Sequence, residues 1–378
     1  EDIQLGNQVV ITLDNSTDTT LTLTAQSAGT TMIGTYTVVE GNTTGTDNLK
    51  VKLIAPIDVS DNAGNQMIQT DSSLSVGTGI IIDGIKPTLT QVTISSNNSN
   101  ASLAKQGNII TLAINASENI TEPTVSFSIG GVSVTPNVSG SGSSYNATYT
   151  VQSSQNGLVT FSISSYNDSS GNSGVTVIKT TEPTTSVTVD NISPILAQVT
   201  AIDTPSNDTT PSYIFTTDTA GTLSTSISQG FSSPNPANVT TGSNQTVTFN
   251  ALPQGTYSGE TITVTDATGN TGSLTLDNFV IDTTAPTLSE VTPITTPSNN
   301  TRPSYVFTTN EAGTLSTSIS QGFSSPNPAT VTTSGNQTIT FNTLSQGTYS
   351  GKTITVTDSS GNAGSLTLPD FVIDTTAP

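Results

Sequence analysis

Apolar and polar side chains alternate in short runs along most of this chain. Within residues 195–286, Val247-Thr248-Phe249, Ile262-Thr263-Val264 and Leu274-Thr275-Leu276 each set apolar side chains on one face and Thr on the other. Period-two alternation is the mark of a half-buried strand. Thr suits the outer face because its β-branch favours the extended backbone while its hydroxyl meets water. No stretch repeats apolar residues at the i, i+3, i+4, i+7 spacing of an amphipathic helix. Turn clusters such as Pro205-Ser206-Asn207-Asp208, Ser233-Pro234-Asn235-Pro236 and Pro253-Gln254-Gly255 separate the runs. Several short strands with a turn every ~8–12 residues predict a β-sandwich.

The pattern is copied. Residues 195–286 and 287–378 align without a gap, with about three quarters of positions identical, and GTLSTSISQGFSSPNPA occurs in both letter for letter. Looser punctuation marks the earlier chain: IIIDGIKP (80–87), VTVDNISP (187–194) and VIDTTAP (280–286 and 372–378). A fixed period is the signature of an array of like units. The expected domains are therefore 1–87, 88–194, 195–286 and 287–378, four sandwiches end to end. Gly6-Asn7 matches Gly107-Asn108 in context, so 1–87 is expected to lack an opening strand, either because the chain is cropped from a longer array or because a neighbouring chain supplies the strand.

Composition narrows the function. Only 9% of residues are charged, against ~25% in an ordinary domain, so Thr, Ser, Asn and Gln must build the surface. Twenty-seven acids against seven bases give a net charge of −20, which excludes nucleic acid as a partner and attracts cations. The chain has no Cys, Trp or His. Neither a His-assisted Ser nucleophile nor a thiolate mechanism is available to it. Glu118 and Glu122 are close enough in sequence to suggest paired carboxylates, but the other repeats have no counterpart. The expectation is that this is not an enzyme. No apolar run approaches the ~20 residues of a membrane span, so no direct membrane insertion is expected.

One motif recurs in every repeat. Asp-x-x-Gly-Asn appears as Asp61-Asn62-Ala63-Gly64-Asn65, Asp168-Ser169-Ser170-Gly171-Asn172, Asp266-Ala267-Thr268-Gly269-Asn270 and Asp358-Ser359-Ser360-Gly361-Asn362. An alternating strand and then an acid shortly before Pro follow it. This arrangement resembles the bacterial immunoglobulin-like repeats of giant prokaryotic surface adhesins and related surface-layer proteins. The resemblance covers nearly the whole chain and implies an all-β fold of tandem immunoglobulin-like Greek-key sandwiches. Unlike antibody-type domains, these have no Cys or Trp, leaving aliphatic packing to hold the core. Gly255-Thr256-Tyr257 and Gly347-Thr348-Tyr349 precede alternating strands, at the place either of a tyrosine corner or of an ordinary half-buried Tyr.

The acids themselves form a series. Each boundary carries one before its Pro (Asp83, Asp190, Asp282, Asp374), each preceding hairpin another (Asp61, Asp168, Asp266, Asp358), and an early loop of the next unit a third (Glu118, Asp218, Glu311). Carboxylate and carbonyl oxygens are what Ca²⁺ selects. In the repeats that this chain resembles, Ca²⁺ at the junctions stiffens the array, and these acids match that position. A plainer reading is a tight turn, Asp capping it and Gly supplying positive φ. Tyr213, Tyr257 and Phe231, repeated as Tyr305, Tyr349 and Phe323, read as core residues rather than a sugar platform. The expected function is an extracellular spacer in a cell-surface adhesin, stiffened by Ca²⁺, its partners being the neighbouring domains of the same chain. A surface-layer or filament subunit binding identical chains, or an accessory array of a secreted polysaccharide-degrading enzyme, are the alternatives.

Overall fold

The computed structural model describes residues 1–68 and 79–377, and among these there is no helix. The chain divides into two compact units, Glu1–Ile192 and Ser193–Pro378. The fold is all-β, made of immunoglobulin-like sandwiches in tandem. Among the described residues its cores are four separate apolar clusters, two in each unit.

The second unit holds two near-copies of one sandwich. In the first copy, strands run in the order Leu196–Thr200, Ser212–Thr217, Gln245–Phe249, Phe231–Ser233 in one sheet, and Asn238–Val239, Gly221–Thr225, Thr261–Thr265, Thr271–Thr275 in the other. Sequence neighbours are split between the sheets, as a Greek key requires. Alternation sends Tyr213, Phe215, Val247, Phe249, Ile262 and Val264 inward, each at most 1% exposed. The other copy buries Tyr305, Phe307, Ile339, Phe341, Ile354 and Val356 in the same places. Tyr257 donates its hydroxyl to the Pro253 carbonyl at 2.9 Å, and Tyr349 to that of Ser345 at 3.0 Å. Each ring also stacks on a Phe, Tyr257 on Phe279 and Tyr349 on Phe371, with centroids 4.8 and 4.9 Å apart. The upstream bond is the one a tyrosine corner makes.

In the first unit, residues 89–189 form a larger sandwich of four and five strands around Leu112, Phe127, Tyr145, Phe161 and Tyr166. Residues 1–68 contribute one three-stranded antiparallel sheet, Thr20–Thr24, Gln8–Leu13 and Val51–Asp58, over a small core of Val9, Ile11, Leu13, Leu49, Val59 and Ile82.

The strand pairings revise the alignment of this first repeat. Gln8–Leu13 pairs with Val51–Asp58, which runs into Asp61; Thr124–Ile129 pairs likewise with Gly157–Ser164, which runs into Asp168. Ile3 bridges Asp61 as Ile120 bridges Asp168. Residues 1–13 therefore correspond to 118–130, and more than an opening strand is involved: counterparts of both Leu89–Ser96 and Ile109–Ala116 are lacking among the described residues. The match of Gly6-Asn7 to Gly107-Asn108 reflects a shared turn. Asn7 Oδ1 accepts the Gln4 N–H and Asn108 Oδ1 that of Lys105, so one local device opens two different strands.

Candidate metal centre at the linkers

All four Asp-x-x-Gly-Asn segments fold as the same hairpin turn. The Asp carboxylate accepts backbone N–H groups two and four residues on: Ala63 and Asn65 to Asp61, Ser170 and Asn172 to Asp168, Thr268 and Asn270 to Asp266, Ser360 and Asn362 to Asp358. Its other oxygen accepts the Asn side-chain amide at 2.7–3.0 Å. The glycines sit at φ +85°, +91°, +92° and +94°, a region open to Gly at little cost. The turn reading of the motif is thus realised in every repeat.

Within each unit a hairpin of this kind also grips a linker. Asn172 Nδ2 donates to the Asp83 carbonyl at 2.9 Å, and Ser170 Oγ to Asp83 Oδ2 at 3.2 Å. Asn362 Nδ2 donates to the Asp282 carbonyl at 2.8 Å, and Ser360 Oγ to Asp282 Oδ2 at 3.3 Å. In each linker the Asp also caps its own chain, Asp83 accepting the Ile85 N–H and Asp282 that of Thr284.

This brings together two carboxylate trios, Asp83 with Glu118 and Asp168, and Asp282 with Glu311 and Asp358. Within each, one oxygen per residue lies within 4.8 Å of the others. Such clusters could hold a metal ion. Two oxygens on opposite sides of Ca²⁺, each at ~2.3–2.6 Å, stand about 5 Å apart, so the spacing fits a cation of that size. The donors are hard oxygens only, matching Ca²⁺ rather than a metal that prefers imidazole or thiolate. Hydrogen bonds take up only part of the lone-pair capacity of the two Asp in each trio.

The electrostatics are asymmetric. Burial pushes the Glu118 carboxyl up, and the charges of Asp168 and Asp83 push it further. Glu311 is raised by burial, then by Asp282 and Asp358. Burial also acts upward on Asp168 and Asp358, but the bonds from Asn172 and Asn362, from Ser170 and Ser360, and from Gly171 and Gly361 prevail and hold both below the ordinary value. Each trio therefore sets an Asp held below its ordinary value, Asp168 or Asp358, beside a Glu, Glu118 or Glu311, whose charge is opposed by burial and by its neighbours.

The grouping differs from the one the sequence suggested. The hairpin acid joining each linker comes from the following sandwich, not the preceding one. Asp168 rather than Asp61 meets Asp83, and Asp358 rather than Asp266 meets Asp282. The cause is topological: the Ile120–Asp168 bridge ties the hairpin to the entry loop of its own sandwich, which the linker has just reached. Asp218 is one residue out of register with Glu311. Its Oδ1 accepts the Ile195 N–H at 2.8 Å, the role that Asn310 plays for Thr287 at 2.6 Å and Ser117 for Thr88 at 3.1 Å. Thr219 occupies the place of Glu311. Asp190 lies in the first unit, where its carboxylate accepts the Ile192 N–H, and Asp266 in the second, 8% exposed within its turn. Asp374 is exposed and accepts the Thr376 N–H. Asp61 is held below the ordinary carboxylate value by the side chain and then the backbone of Asn65.

No protein-family model matches this chain, and no curated protein matches it. Among solved structures it is similar to dimeric latent PorU from Porphyromonas gingivalis, at 9% identity and TM-score 0.18, over 81% of this chain and 36% of that one. It thus spans about a third of PorU's length. It is similar also to the Dpr2 Ig1-Ig2 complex with DIP-Theta Ig1-Ig3 (10% identity, TM-score 0.28, 75% and 98% covered) and to the mouse nectin-like molecule 4 ectodomain (10%, 0.26, 74% and 94%).

Proposed function

We propose that this chain is a structural spacer in an extracellular, cell-surface protein of adhesin type, without catalytic activity, in which Ca²⁺ bound by the carboxylate trios sets the stiffness of successive sandwiches. One observation carries the reading: at two equivalent junctions the linker Asp is held by the next hairpin and also stands beside two carboxylates of the sandwich it enters. A cation there offsets the burial and the mutual repulsion that together raise Glu118 and Glu311, and ties linker to sandwich through a third group. Each sandwich otherwise keeps its own core, as expected where units contact only their neighbours. Near-identity of the last two repeats favours length as the product, because copies add reach without altering a site. Small-angle scattering with Ca²⁺ and with a chelator tests it. A shorter or more variable maximum dimension in chelator is expected; an unchanged distance distribution would refute the stiffening role.

A further inference from the structure

Strands at a sheet edge present backbone groups to which another strand can pair. Leu89–Ser96, Leu196–Thr200 and Leu288–Thr292 each stand at the edge of a four-stranded sheet. In the last two, a register shift leaves Val199 and Val291 out of the ladder. Such bulges blunt an edge. Leu89–Ser96 is longer, and its one shift lies at its start, so its pairing with Ile109–Ala116 is regular from Gln91 to Ser96. Residues 90–95, Thr-Gln-Val-Thr-Ile-Ser, hold four β-branched side chains and no charge, Pro or Gly. That composition marks a segment able to pair with copies of itself.

This edge is covered by another device. The Val92 carbonyl accepts the Thr181 N–H at 2.9 Å, the Val92 N–H donates to Thr181 Oγ1 at 3.2 Å, and the Ile94 N–H donates to Thr185 Oγ1 at 2.8 Å. Thr180 Oγ1 accepts the Thr185 N–H at 3.1 Å and so draws the covering segment into a loop. Two of the three bonds to the strand use side-chain hydroxyls. Residues 178–187 therefore satisfy the edge while forming no strand of their own.

Both ends of the segment are fixed in the five-stranded sheet. Val177 bridges Ile163, and the buried Val187 offers its carbonyl to the Val159 N–H at 2.9 Å. Thr180, Thr181 and Thr185 are half-buried, whereas Lys179, Glu182, Pro183 and Thr184 are exposed. Charges and a Pro without N–H on the outer side discourage a further strand from adding there.

We propose that residues 178–186 are an edge guard, a strap in the place of a fifth strand, and that the occupant it excludes is the same edge of a second copy of this chain. Two such edges match antiparallel about a two-fold axis at Thr93, Val92 of each facing Ile94 of the other. The net charge of −20 opposes association elsewhere on the surface, but this segment carries no charge to oppose the pairing. The strap thus keeps copies from joining sheet to sheet along this flank. The inference goes beyond the cation reading and needs no metal.

Sedimentation velocity on the full chain in chelator, over a range of concentrations at ~150 mM salt to screen the net charge, tests this. The wild type should stay monomeric, and a variant with residues 179–186 replaced by a Gly-Ser run of equal length should dimerise. Adding Thr93→Lys sets like charges face to face at the axis and should weaken that dimer about fivefold. If the replaced strap prevents folding, Thr181→Val with Thr185→Val decides the matter, because it keeps the shape and strips both hydroxyls. That variant should dimerise at the higher concentrations, and the Ile94 amide should lose hydrogen-exchange protection in its monomer. A folded variant that stays monomeric throughout overturns the proposal, as does a dimer that Thr93→Lys leaves unchanged. A wild type that associates as readily as the variant overturns the guarding role.

Discussion

Replacing Asn362 by Asp turns the amide that joins hairpin to linker into a fourth carboxylate. Asn362 Nδ2 lies 2.8 Å from the Asp282 carbonyl and 3.0 Å from Asp358 Oδ2. Losing both bonds, one to a charged acceptor, costs about 2 kcal/mol at a partly solvated site; Asn362→Ala isolates that loss. Asp adds a charge roughly 4 Å from that of Asp358, worth about 1–4 kcal/mol between the limits of bulk water and a protein surface. Asn362→Asp should therefore be the more damaging, costing about 3–6 kcal/mol in all against about 2 for Asn362→Ala. Hydrogen exchange at the amides of residues 360 and 362, both bonded to Asp358, reads the local opening free energy without assuming that the chain unfolds in one step. In chelator at neutral pH, protection should fall in the order wild type, Ala, Asp, and Ca²⁺ should narrow the gap between the variants. Acid should narrow it too. Asp358 is held below its ordinary value in the fold, so its stabilisation is present above the unfolded value and is lost as pH falls through the folded one. Equal protection of the two variants in chelator would refute the picture of a crowded carboxylate cluster, and wild-type protection in Asn362→Ala would refute the grip on the linker.

Other consequences follow from the same geometry. A Cβ at Gly364 would lie 1.7 Å from the Pro286 carbonyl oxygen, so backbone must move; Gly364→Ala should lower the second unit's calorimetric transition by about 5 °C or more. Gly335→Ala, in open space at φ +71°, should cost only about 1 kcal/mol. Tyr349→Phe removes the bond to Ser345 but keeps the stack on Phe371, so denaturation should show a loss of about 1 kcal/mol. Glu311 is raised in the fold, so its ionisation takes stability away as pH climbs from the ordinary carboxylate value through the raised one. Glu311→Gln should accordingly be more stable than wild type in chelator at neutral pH, with a flatter pH profile by urea melts.

The sandwich class was legible because alternation and turn chemistry agree: Ile262-Thr263-Val264 reads as a strand and is one, with Ile262 and Val264 fully buried. The acids that converge were also legible as residue types, since Asp83, Glu118, Asp168, Asp282, Glu311 and Asp358 all belong to the recurring series. Their grouping was not. Which sandwich supplies the hairpin depends on the bridge between Ile120 and Asp168, a pairing across 48 positions that local pattern does not encode. The Asp218 register was in fact available, because the gapless alignment sets it opposite Asn310 and sets Thr219 opposite Glu311. Residue type drew attention to Asp218, whereas register assigns it to the turn. The linker-gripping role of Asn172 and Asn362 left no sequence signal beyond the motif, because Asn65 has the same place in its turn and its bond is to Asp61.

Equilibrium dialysis against Ca²⁺ tests the central claim most directly. The account predicts at least two ions per chain, with dissociation constants near the 10⁻⁴–10⁻³ M typical of extracellular modules, and the loss of one ion in each of Glu118→Gln and Glu311→Gln. No binding in that range, or a stoichiometry unchanged by both substitutions, would contradict it.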